Sequence, residues 1–110
     1  MAIGYLAILL VRLAGASWAE TVTVEQRGAV DLTPFVCQDI TRSSIVNRVC
    51  YDAPDQTMIV QLNSVYSQYC DVPEAVRDRF LNAPSMGHYY NANIKGSQAN
   101  ARYECRSQDF

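Results

Sequence analysis

The sequence has a single histidine, His88, and a single lysine, Lys95, in 110 residues. A lone imidazole beside Gly87 reads as a surface or capping residue rather than a metal ligand. There is no C-x-x-C pair, which argues against zinc, because structural zinc sites usually place two ligands within a few residues of each other. No metal or other cofactor is therefore expected. A basic excess is also missing: nine Lys and Arg stand against eleven Asp and Glu, for a net charge of -2. Nucleic-acid-binding domains are usually clearly basic. No apolar run is long enough to span a bilayer, since Ile3 to Val11 falls short of the roughly 20 residues a spanning helix needs. Finally, no nucleophile has a visible base and orienting partner. Ser85 lies near His88, but no third member accompanies them, so no catalytic residues are assigned and the chain is not read as an enzyme.

What is present describes one small domain. Hydrophobic residues make up 49% and charged residues 18% of the chain, a globular balance rather than a disordered one. The N-terminal apolar run is followed by Ser17-Trp18-Ala19, the small-x-small pattern of a signal-peptidase site. Residues 1–19 are accordingly read as a leader cleaved before Glu20, even though its one cation, Arg12, follows the apolar run instead of preceding it. Four cysteines, Cys37, Cys50, Cys70 and Cys105, fit a disulfide framework in an oxidising compartment. Together these features place the chain in the bacterial periplasm or outside the cell, with no stable membrane span after cleavage.

Residues 20–36 open with the alternating Thr21-Val22-Thr23-Val24 and are expected to form a loosely attached arm or edge strand. From Ser44 the pattern sharpens. Ile45, Val49 and Tyr51 share one strand face, with Arg48, Cys50 and Asp52 on the other. A turn at Ala53 to Gln56 leads to Thr57–Leu62, with Met58, Val60 and Leu62 on the apolar face. Asn63-Ser64 fits a two-residue hairpin turn, and Val65–Cys70 returns with Val65 and Tyr69 inward. The sum is a three-stranded antiparallel meander with one apolar face. In that register Cys50 faces Ile59 and Cys70 faces Thr57, both outward and two strands apart. Strands lie about 4.8 Å from their neighbours, so these cysteines stand about 10 Å apart, beyond the roughly 7 Å a disulfide spans. Each is expected to pair with Cys37 or Cys105, and the two remaining connectivities stay open.

A helix follows. Asp71 is read as an N-cap acceptor three residues before Glu74, with Pro73 in the first turn. Val72, Val76, Phe80 and Ala83 form its apolar stripe, and Pro84 ends it. Ser85 caps a second, short helix in which Met86, Tyr90 and Ile94 recur at i, i+4 and i+8, and Gly96 supplies the stop. After a polar loop, Ala101–Arg106 reads as a short last strand. The expected class is α+β: the meander covered by one helix and a short second helix, closed by a C-terminal strand and stapled by two disulfides.

Several of these segments resemble the KTSC domain, a small module named for its occurrence at the C-terminus of some lysyl-tRNA synthetases. They are Val49-Cys50-Tyr51-Asp52, Asp71 to Val76, Leu81-Asn82-Ala83, and Ser85-x-Gly87-x-Tyr89-Tyr90-Asn91-x-x-Ile94-Lys95-Gly96. The resemblance covers about Ser43 to Arg106 and sets residues 37–110 as the domain. One departure stands out: the family's Tyr-x-Tyr reads Ser67-Gln68-Tyr69 here, and the neighbouring Tyr66 points to the opposite face. The leader and cysteines are similar to an exported branch of the family. The resemblance implies no established role, although the synthetase context suggests RNA binding.

The candidate binding surface is Tyr89, Asn91, Asn93 and Lys95, with His88 beside them. Aromatic rings, amides and one cation suit stacking on a base or sugar, or gripping a peptide. The competing reading packs Tyr90 and Ile94 under the sheet and ties the asparagines to loop backbone. On balance the chain is expected to be a monomeric exported binding domain for a protein or other envelope component. Nucleic-acid binding is the alternative, and an envelope-acting enzyme ranks last.

Overall fold

The computed structural model describes residues 19–96 and 101–105. The expected leader, apart from Ala19, lies outside the described residues, as do the loop at 97–100 and Arg106. Six strands, β1 (Thr21–Val24), β2 (Gly28–Asp31), β3 (Val36–Asp39), β4 (Val46–Asp52), β5 (Thr57–Leu62) and β6 (Val65–Tyr69), precede the helices α1 (Glu74–Asn82) and α2 (Met86–Tyr89). Helix α2 runs directly into a π-helical turn, Tyr90–Lys95. Among the described residues no helix is long and apolar enough to cross a membrane.

The α+β class is as expected, but the sheet is larger than the three-stranded meander read from the sequence. It has six strands in the order β2-β1-β6-β5-β4-β3. The central meander keeps the expected register, with Asp52 opposite Thr57, Cys50 opposite Ile59 and Leu62 opposite Val65. Its second turn is also as expected: Asn63 and Ser64 take φ of 48° and 74°, the left-handed pair that a two-residue hairpin loop requires. A bulge between Val46 and Arg48 shifts the alternation, so that both Val46 and Val49 face the helices.

Two of the added strands come from the segment expected to be a loose arm or edge strand, and β2 is indeed an edge of the sheet. β1 and β2 form a hairpin, and β1 joins β6 in parallel through Val24 opposite Tyr66. β3 lies along β4 at the far edge. The expected last strand shrinks to a single antiparallel bridge between Tyr69 and Glu104. Glu104 N–H turns back to the Ala101 carbonyl at 3.3 Å, forming a turn in place of a ladder.

Two cores result. Helices α1 and α2 cover one face, where Val49, Tyr51, Met58, Val60, Phe80 and Ile94 pack together. Tyr51 locks this layer, its hydroxyl donating to the Val72 carbonyl at 2.6 Å. The other face, expected to be an outer surface crossed by cysteines, is a second core of Val22, Val24, Leu32, Cys50 and Ile59. Tyr66 packs on this side and Tyr69 on the first, so the two tyrosines do part as their spacing implies. Val65, expected inward, is 47% exposed at the hairpin end of β6. Helix α1 begins at Glu74 with Pro73 as N-cap and no side-chain cap. Asp71 is not the cap, because its φ of 57° makes a left-handed turn that sends Val72 into the core ahead of the helix.

The disulfides are Cys37–Cys50 and Cys70–Cys105. Cys50 and Cys70 do not pair, as the two-strand separation requires. Arg48 of β4 holds Glu20, just before β1, through bonds of 2.6 and 2.8 Å, its side chain reaching over β5 and β6, which lie between those strands. Arg48 also donates to the Tyr66 hydroxyl at 3.3 Å.

The hydrogen bond from Arg48 holds the Glu20 carboxyl below its ordinary pKa. A depressed folded pKa means the contribution is present above the unfolded glutamate range and lost as pH falls through the folded value. Glu20→Gln is therefore expected to lower the urea midpoint at neutral pH, by an amount that shrinks as the pH falls below the ordinary glutamate range and through the lowered folded pKa. A deficit that persisted unchanged into acid would rule out this ion pair as its source.

Candidate functional site

The second helix starts where the sequence places it. The Ser85 hydroxyl accepts from the His88 N–H at 3.2 Å, satisfying one of the free N–H groups of the first turn. Gly87 has a steric reason: a Cβ there would stand 2.9 Å from the Ile45 side chain. Met86, Tyr90 and Ile94 are all buried.

The switch to π geometry explains how all three reach one core. In an α-helix each residue advances about 100°, so a third side chain at i+8 drifts about 80° from the first. A π turn advances roughly 80° per residue and rotates Ile94 back toward Met86. The widened turn ends at Gly96, whose φ of 64° suits a residue without Cβ. Single π turns inside helices occur frequently at functional sites.

The five candidate residues differ in their surroundings. His88 is exposed on α2, and Asn91 is exposed on the π turn. The Tyr89 ring is half-buried and stacked on Phe80 at 5.9 Å between centroids. Asn93 donates its side-chain amide to the Tyr89 carbonyl at 3.3 Å. Lys95 alone lines a groove, formed where the end of β6 and the bridged segment at Glu104 meet the end of the π turn. Gln68, Tyr69, Ile94, Ala101 and Glu104 line the groove with it.

Sequence reasoning missed every one of these neighbours as site residues. The available signal was the pairing of Cys70 with Cys105, which sets Tyr69 beside Glu104; with connectivity open, that juxtaposition was not legible.

Tyr69 of the lining has a tyrosine partner. Tyr69 and Tyr90 hydrogen-bond to one another through their hydroxyls, with the rings edge to face. Burial first, and for Tyr69 also this bond, raises the phenol pKa of both. Both are therefore neutral at physiological pH and offer hydrogen bonds rather than a phenolate. Lys95 and Glu104 are exposed, and neither forms an ion pair with any described residue. The described lining offers one cation, one carboxylate and an apolar floor, which is chemistry for holding a ligand.

Comparison with known proteins gives a consistent picture. The profile of the KTSC domain matches residues 42–97. The crystal structure of a KTSC domain protein from Yersinia pestis is similar, with a TM-score of 0.56 and 27% identity over 66% of this chain and 94% of that one. No curated protein matches the chain. The matched segment contains Cys50 and Cys70, while their partners Cys37 and Cys105 fall outside it on either side.

Proposed function

This chain belongs to the KTSC domain family, and we propose that it is an exported binding module that engages a component of the bacterial envelope through the groove beside Lys95. The groove carries the reading: at the end of a π turn it holds charged groups of both signs that have no ion-pair partner among the described residues. Two disulfides fit an oxidising environment, and the leader pattern ending at Ala19 supports export. The cation and carboxylate together favour a ligand of mixed charge over a polyanion such as RNA, which Glu104 would repel.

Site-specific photo-crosslinking in intact bacteria tests this. A photoreactive residue at Lys95 is expected to yield discrete adducts outside the cytoplasm, and one at the exposed Thr23 on β1 is not. Absence of adducts at Lys95, or the same adducts from both positions, would overturn the reading.

A further inference from the structure

Taking the groove as a binding site, we infer that its ligand is a short peptide with both termini free, its carboxylate at Lys95 and its ammonium at Glu104. Among the described residues the two groups line the same groove without an ion pair to each other or to a neighbour. An ammonium and a carboxylate that line one groove without pairing complement a zwitterion and set its direction.

The surface between the charges matches the rest of such a ligand. Ile94, Ala101 and the Tyr69 ring offer an apolar floor for one side chain. Gly96, also in the lining, has no side chain to keep a ligand from the backbone.

The groove reading and the peptide inference fail separately. The purified, disulfide-bonded chain, labelled with nitrogen-15, is titrated with the dipeptide Ala-Leu, its N-acetyl derivative and its C-terminal amide. The free dipeptide is expected to shift the backbone amides of Gln68, Lys95, Gly96 and Ala101. Each blocked form is expected to bind about tenfold more weakly, since each deletes one charge contact. Lys95→Gln should abolish the preference for the free carboxylate, and Glu104→Gln the preference for the free amine. Both positions are exposed, and an unchanged spectrum elsewhere confirms the fold. Equal binding of free and blocked forms, or no shift at millimolar dipeptide, would overturn the peptide inference. Crosslinks at Lys95 in that case would leave the groove standing with another ligand, and their absence would remove both readings.

Discussion

Phe80→Ala is expected to lower the free energy of unfolding by about 3–5 kcal/mol. Phe80 lies on α1 with no exposed surface, and its ring meets both Tyr89, at 5.9 Å, and Tyr90, at 6.4 Å. One side chain thus joins α1 to α2 and to the π turn. Truncation removes buried apolar surface and leaves a cavity that the fixed rings of two tyrosines cannot readily fill. Domains of this kind have only about 5–15 kcal/mol in total, so the variant is expected to sit near its unfolding threshold. Urea unfolding followed by circular dichroism gives the number. Val65→Ala, at a position 47% exposed, serves as control and should stay within about 0.5 kcal/mol of the parent. If Phe80→Ala cost no more than the control, the helical layer would not be the lid of the main core.

Replacing either disulfide by two alanines is the second large effect. The bridges close intervals of 13 and 35 residues, for which loop entropy gives about 3 and about 4 kcal/mol. Burial acts in the opposite order: Cys50 has no exposed surface and belongs to the second core, so its loss adds a packing term of about 1 kcal/mol. The two losses are expected to be similar, each measurable by urea titration under non-reducing conditions. Their functional consequences should differ sharply. The Cys70–Cys105 bridge fixes the segment that carries Glu104, so Cys70→Ala/Cys105→Ala is expected to abolish dipeptide-induced shifts. Cys37→Ala/Cys50→Ala should leave them intact while the protein remains folded. Equal loss of binding in both variants would mean that the groove depends on global stability rather than on the placement of that segment.

Much of this fold could be read from local chemistry. The meander register followed from side-chain alternation and from Asn63-Ser64, and the second helix from Ser85, the i, i+4, i+8 stripe and Gly96. What escaped was long-range pairing. β1 joins β6 in parallel through one register pair, with some 40 residues between them, and no turn motif announces such a contact. The packing of Val22, Val24 and Leu32 that makes Cys50 and Ile59 part of a second core is likewise a property of the assembled sheet. The candidate site divided along the same line. Lys95 was legible as a cation on a polar helix end, whereas Gln68, Tyr69 and Glu104 become a site only once β6 and the C-terminal segment are brought together. Tyr89 and Asn93 looked like ligand-binding groups, yet both have contacts within the fold that polarity alone does not reveal.

The disulfide connectivity bears on how the molecule is made. Of the three ways to join four cysteines, this chain uses the one in which each cysteine bonds to the next along the sequence, Cys37 to Cys50 and Cys70 to Cys105. A polypeptide threading N-terminus first into an oxidising space presents Cys37 and Cys50 before Cys70 arrives. Bonds formed in order of emergence are then already the native ones, and thiol–disulfide exchange has nothing to correct. Oxidative refolding of the reduced domain is accordingly expected to need an oxidant and to gain little from an added isomerase.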